Sequence, residues 1–184
     1  FVVRSRGAAM LVDTGNQDRL PREALARHPV VRLDAVLVTH GDDDHMGSLA
    51  SLEGVVEVDR VLVAEGVFSC GCEACERLLC DARSLVGADG VVGLSQGDAL
   101  RVGAFSLEVV WPAAFTEEGG NADSVCLLAD ADVDGDGARD WRTLFTGDAE
   151  RDELRALIDP GLVGAVDVYK VGHHGSKNAL DDEV

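Results

Sequence analysis

Three predicted strands, the first a continuous apolar run of buried character, each end on residues that bind metals well, and no other feature of the sequence restricts the fold so strongly. Ala35-Val36-Leu37-Val38-Thr39 leads into His40-Gly41-Asp42-Asp43-Asp44-His45. The run from Trp141 to Phe145 leads into Thr146-Gly147-Asp148, and the run from Ala165 to Val171 into Gly172-His173-His174. Four of the five histidines therefore lie just past predicted strand ends. Loops at one edge of a sheet are where a rigid scaffold gathers polar side chains into a site. A chain arranged in this way calls for a layered α/β or α+β architecture.

The remaining pattern agrees with such layers. Strands are predicted at 8–12, 35–39, 60–64, in paired form over 98–111 with a turn at Gly103, and at 124–128, 141–145 and 165–171. Helices are predicted around 22–27 behind Pro21, at 47–52, at 73–85 and at 149–158, the last stopped by Pro160-Gly161. Residues 67–87 read as a Cys-rich insertion. The chain has 184 residues, 46% of them hydrophobic, which suits a single domain over 1–184 with a core of its own.

Charge narrows the partners. Asp and Glu number 34 against 16 Lys and Arg, a formal net charge of −18, so a polyanion is repelled unless cations or a local basic patch reverse the field. No apolar stretch is long enough for a transmembrane segment. The start, Phe1-Val2-Val3-Arg4, resembles neither a signal peptide nor an initiator region, and reads as the start of an excerpt.

The ligand types specify chemistry. His40, Asp42, Asp44 and His45 form an H-x-D-x-D-H pattern, and imidazole with carboxylate suits Zn, Mn or Fe, whereas an all-oxygen set would suit Mg or Ca. Asp42-Asp43-Asp44 alone reads equally well as an acidic surface turn. The three clusters together favour a metal site, and six or seven such ligands suffice for two divalent metal ions, an arrangement that activates water for hydrolysis.

Val12-Asp13-Thr14-Gly15, Val38-Thr39-His40-Gly41-Asp42-Asp43-Asp44-His45-Met46-Gly47, Phe145-Thr146-Gly147-Asp148 and Val171-Gly172-His173-His174-Gly175-Ser176 resemble, in order and interval, the metallo-β-lactamase fold superfamily. Asp42, where that superfamily usually has His, and the closing His-His-Gly-Ser are similar to the C-terminal domain of ComEC-type competence proteins, the membrane channels for DNA uptake. The resemblance implies a four-layer αββα sandwich, here truncated at both ends. It implies His40 and Asp42 on one metal, Asp44 and His45 on the other, Asp148 bridging or nearby, and His173 or His174 completing the set, with Asp44, Asp148 and His173 as catalytic candidates. Asp13 would orient the histidine loop by hydrogen bonds, although it reads equally well as a cap on the turn that follows. Asn121, in Asn121-Ala122-Asp123-Ser124, would support the site where relatives carry a further His. Ser176 and Lys177 could receive a phosphate, or lie on a loop surface.

What the resemblance implies about activity is a metal-dependent nuclease using Zn or Mn on single-stranded DNA or another phosphodiester. Its partner would be the rest of a membrane channel protein, and its location the extracytoplasmic side of the cell membrane. Two rivals stand beside it: a hydrolase of small-molecule esters or phosphoesters, and a non-catalytic accessory domain of an uptake channel.

Two motifs fall outside this scheme. Cys70, Cys72, Cys75 and Cys80 offer enough thiols for a structural metal, could instead form disulfides, or could be plain buried thiols. Asp132-x-Asp134-x-Asp136-Gly137 resembles the start of a calcium loop, but its twelfth position is Thr143, so a hairpin turn is expected.

Overall fold

A computed structural model describes residues 1–116, 119–158 and 161–179. The first sheet begins with a hairpin, β1 (Val2–Ser5) and β2 (Ala8–Val12), followed by helix α1 (Arg19–Arg27). A short β3 (Arg32–Leu33) precedes β4 (Ala35–Leu37) and the four-residue helix α2 (Asp43–Met46). Then come β5 (Glu57–Val58), β6 (Val61–Ala64), helix α3 (Glu73–Val86) and β7 (Val91–Leu94). The order across this sheet is β1-β2-β4-β6-β7, antiparallel at β1–β2 and parallel from β2 onward, while β3 and β5 form a separate parallel pair. Strands β4 and β6 are buried at every position, as expected for parallel strands covered on both faces.

The second sheet is built from β8 (Ala99–Val102), β9 (Phe105–Trp111), β10 (Cys126–Ala131), β11 (Trp141–Phe145) and β12 (Val168–Lys170), with helix α4 (Arg151–Ile158) between the last two strands. Its order is β12-β11-β10-β9-β8, antiparallel except for the β11–β12 pair. The alternation along β10 shows how the layers stack. Leu127 and Ala129 join the core shared with Met10, Val36 and Val63 of the first sheet, whereas Cys126 and Leu128 face the other way, toward Leu157 of α4. Leu25 of α1 and Leu78 of α3 pack against the first sheet. The result is the αββα sandwich.

Several boundaries differ from expectation. The helix predicted at 47–52 starts earlier: the Asp42 carbonyl accepts the amides of His45 and Met46, so α2 carries Asp44 and His45 itself, and Leu49–Leu52 form a separate 3-10 turn. Strand β7 escaped detection because Gly93 interrupts its apolar run; a Cβ there would meet the side chain of Glu65. Strand β10 runs on to Ala131 because the Asp130 carboxylate accepts two hydrogen bonds from Arg142 on β11, both at 2.6 Å. The segment 67–87 is the crossover between parallel strands β6 and β7, and Cys75, Leu78, Leu79 and Ala82 bury into the main core. The acidic stretch 132–137 lies in the turn joining antiparallel β10 and β11, where Asp132 accepts the amides of Gly135 and Gly137.

Candidate metal centre

The strand ends converge. Side-chain donor atoms of Asp44, His45, Asp148 and His174 all lie within 4.8 Å of one another. Asp44 and His45 come from α2 just past β4, Asp148 from the turn after β11, and His174 from the turn after β12. His40 stacks beside His45 with ring centroids 4.1 Å apart. Three loops distant in sequence therefore share one pocket.

The two buried imidazoles and Asp148 are held from behind. Asp13 adopts a left-handed backbone, φ 57°; its Oδ1 accepts the Thr39 amide at 2.9 Å and the Thr39 hydroxyl at 3.0 Å, and its Oδ2 lies 2.9 Å from His45 Nδ1. In the neutral imidazole that contact keeps the proton on Nδ1 and leaves the lone pair of His45 Nε2 facing the pocket. On His40, Nδ1 contacts the hydroxyls of Thr39 at 3.2 Å and Ser124 at 3.3 Å. Ser124 Oγ also accepts the Asp148 amide at 3.1 Å, tying the first loop to the second.

Within the pocket, two ring nitrogens remain without a hydrogen-bond partner. His40 Nε2 and His45 Nε2 are buried and make no hydrogen bond; the nearest carboxylate oxygens, Asp42 Oδ2 at 3.4 Å and Asp148 Oδ1 at 3.2 Å, are close but not aligned for one. Buried polar atoms without partners are costly, and two imidazole nitrogens facing a pocket with three carboxylates form a donor set suited to a borderline divalent cation. The residues therefore fit a metal.

Charge inside the pocket is strongly coupled. Burial alone would lower the His45 pKa, but Asp13 and Asp148 outweigh it and raise it to about 9. His40 moves the opposite way, lowered by burial and by the neighbouring His45. Burial would raise Asp148, yet His45, His40 and Lys170 hold it well below the usual carboxylate range. Asp44 is likewise lowered, burial being outweighed by its hydrogen bond to His174, 2.7 Å.

The structure separates the two adjacent histidines. His174 Nε2 reaches Asp44 Oδ2 at 2.7 Å and Asp148 Oδ2 at 3.6 Å. His173 turns aside, its Nδ1 lying 2.7 Å from Glu150 Oε1, while its amide donates to Asp148 Oδ1 at 3.0 Å. Asp42 lies at the rim beside His40. Asn121 reaches Glu150 at 3.4 Å, not the ligand cluster, and Lys177 is exposed with Ser176 half-buried beside it. Thr39 and Glu150 are positioning groups that sequence reasoning passed over, whereas Ser124 entered it within the Asn121-x-x-Ser124 pattern and Lys170 as a candidate contact for an anionic substrate. Lys170 Nζ donates to the Gly147 carbonyl at 2.7 Å and lies 3.8 Å from Asp148 Oδ1. For Ser124, its fixed interval from Asn121 was the signal available.

Gly147 makes the Asp148 turn possible. Its φ is 54°, and an added Cβ would sit 2.8 Å from Ser124 Cβ and 2.9 Å from Thr39 Cβ. Gly147→Ala is expected to destabilise the fold by about 2–4 kcal/mol, combining left-handed strain with overpacking, and to weaken metal retention because Thr39 and Ser124 hold the histidines. Urea denaturation and metal analysis of the variant check both effects.

A cavity of about 290 Å³ adjoins the cluster, lined by Val12, Leu20 and Pro21 together with Asp44, His45, Lys170 and His174. Comparison with known proteins adds context to this geometry. Residues 1–70 match the family model described as the metallo-beta-lactamase superfamily. The chain is 30% identical over 156 residues to ComE operon protein 3 of Bacillus subtilis (strain 168), covering 84% of this chain and 18% of that protein. The chain thus spans under a fifth of the length of that relative. Among solved structures, CmlA, a diiron beta-hydroxylase from Streptomyces venezuelae, superposes with a TM-score of 0.56 at 21% identity, covering 91% of this chain and 31% of that one. The metallo-beta-lactamase SMB-1 gives 0.55 at 15% identity, covering 78% and 55%. The sheet order, the family model and these neighbours agree that this is a metallo-β-lactamase-fold chain, similar to a segment of ComE operon protein 3.

Proposed function

We propose that the chain is a metal-dependent phosphodiesterase acting on single-stranded DNA in a competence DNA-uptake system. The observation that carries the metal-dependent reading is the pocket itself, where two buried imidazole nitrogens lack partners beside Asp44, Asp148 and His174. Similarity to ComE operon protein 3 supports the DNA-uptake setting. The fold alone does not fix the reaction, since one neighbour is a diiron hydroxylase.

Asp44, His45, Asp148 and His174 would hold the first cation, and His40 with Asp42 would add donors for a second, bound more weakly on its sparser set. Zn or Mn bound there would supply Lewis acidity toward a scissile phosphate. Asp13 and Thr39 keep the imidazoles aimed, and Lys170 offsets part of the carboxylate charge around Asp148. His173, half-exposed and paired with Glu150, would hand a proton to a leaving oxygen in this reading. By its similarity to an uptake protein the chain would work on the extracytoplasmic side of a membrane; no helix among the described residues is long and apolar enough to cross one.

A net charge of −18 makes DNA binding depend on the bound cations, because among the described residues Lys170 is the lysine or arginine that lines the adjoining cavity. End-labelled single-stranded DNA, a generic phosphodiester and a carboxylic ester are to be incubated with the chain in Mn²⁺, in Zn²⁺ and in chelator. DNA cleavage in metal alone, with no tight DNA binding in chelator, is the expected result. Turnover of the ester without turnover of DNA would favour a small-molecule hydrolase, to which the apolar part of the adjoining cavity's lining is suited. Absence of both turnover and retained metal would leave an accessory role.

A further inference from the structure

A second cluster of ligand-type side chains lies at the start of α3. The sulfurs of Cys70, Cys72 and Cys75 are all within 4.8 Å of one another, with Cys70 and Cys75 buried and Cys72 half-buried. Cys70 Sγ is 3.0 Å from Cys72 Sγ, well beyond the roughly 2.05 Å of a disulfide. Three thiolates around one cation at about 2.3 Å each would stand about 3.8 Å apart, which is the scale of this cluster. A disulfide needs two sulfurs, and a third converging on the same point has no use in it.

Backbone contacts hold the cluster in place. Cys72 caps α3, and its sulfur accepts the Cys75 amide at 3.4 Å. The loop before β10 closes over the sulfurs so tightly that a Cβ at Gly119 would lie 2.8 Å from Cys75 Sγ and 3.3 Å from Cys72 Sγ. Gly119 in turn accepts the Gly41 amide at 3.0 Å and donates to buried Asp123 at 2.8 Å. Gly41 follows His40 directly, so the thiol cluster braces the backbone that carries the histidine loop.

We propose that Cys70, Cys72 and Cys75 form a separate site for a thiophilic closed-shell cation, Zn²⁺ being the probe, that clamps the Gly119 loop onto the Gly41 turn. Three thiols give up their protons to solvent as three metal–sulfur bonds form, and a solvent molecule takes the fourth position of a tetrahedral ion. Cys80, exposed and outside the cluster, takes no part.

The test uses the reduced chain, freed of metal and then titrated with Zn²⁺ and, for a spectroscopic signal, with Cd²⁺, whose thiolate complexes absorb in the near ultraviolet. Asp148→Asn isolates this site from the His/Asp centre. Cys72→Ser keeps a good helix cap, so loss of folding will not obscure its result. The expected outcome is a thiolate absorption at one equivalent of Cd²⁺ in the wild type, in Asp148→Asn and in Cys80→Ser, absent in Cys72→Ser and Cys75→Ser, with one fewer Zn²⁺ retained by the latter two. No thiolate absorption in the wild type, unchanged Zn²⁺ content in Cys72→Ser, or loss of the signal in Cys80→Ser would each overturn the assignment. Because these readouts do not involve turnover, they stand or fall independently of the phosphodiesterase reading.

Discussion

Asp148→Asn is expected to remove most metal binding and, with it, hydrolysis, leaving a folded chain. The side chain of Asp148 is 4% exposed and meets both halves of the pocket: its Oδ1 is 3.2 Å from His45 Nε2 and 3.8 Å from Lys170, and its Oδ2 is 3.6 Å from His174 Nε2. An amide of the same size keeps the His173 amide contact at Oδ1 but contributes no charge. A cation held by one fewer anion binds less tightly, and loss of one such electrostatic contribution to the transition state reduces rates by roughly 10²–10³-fold. Stability changes less, since His45 retains Asp13 as its partner. Elemental analysis alongside rate measurement decides the matter, and a variant with wild-type metal content and rate would remove Asp148 from the site. Glu150→Gln is the contrasting case. It loses the charge facing His173 and leaves the four-residue cluster intact, so its metal content should be unchanged.

The layers and the pocket were legible in the sequence for a specific reason. Buried parallel strands such as Ala35–Leu37 leave continuous apolar runs, and His40, Asp44 and His45 follow that run closely, so periodicity and residue type point to the same strand end. The family resemblance supplied the sandwich that periodicity could not choose. Illegible were choices made by backbone geometry alone. His173 and His174 are adjacent and chemically identical; only the left-handed turn at both, φ 44° and 52°, sends one toward Glu150 and the other toward Asp44. Thr39 and Ser124 carry no metal-ligand signature, because a hydroxyl behind an imidazole looks like any other core hydroxyl until the loops are brought together. The role of segment 67–87 was hidden likewise: β7, the strand that makes it a crossover, has a glycine in its middle.

The same pocket should reverse the pH dependence of stability according to whether metal is present. In the metal-free chain His45 keeps its proton up to about pH 9, against an ordinary value of 6.5. A group whose pKa is raised on folding stabilises fully below its unfolded value, and that contribution fades as pH climbs through the folded value. For His45, 3% exposed, the separation is worth about 3 kcal/mol, and Asp148, the other half of the same pair, adds no second amount. On the acid side the lowered pKa values of Asp148 and Asp44 act in the opposite sense: their contribution is present above the ordinary carboxylate range and is lost as pH falls through their folded values. Chelated protein should therefore become less stable from about pH 6.5 to 9. A metal binds the neutral imidazole and must displace that proton, so binding tightens as pH rises, and saturating metal stabilises more at each step. Urea denaturation across this range should give a falling line in chelator and a flat or rising one in Zn²⁺. Parallel lines in the two conditions would mean that His45 does not ligate, since a ligand cannot hold a proton and a cation on the same nitrogen.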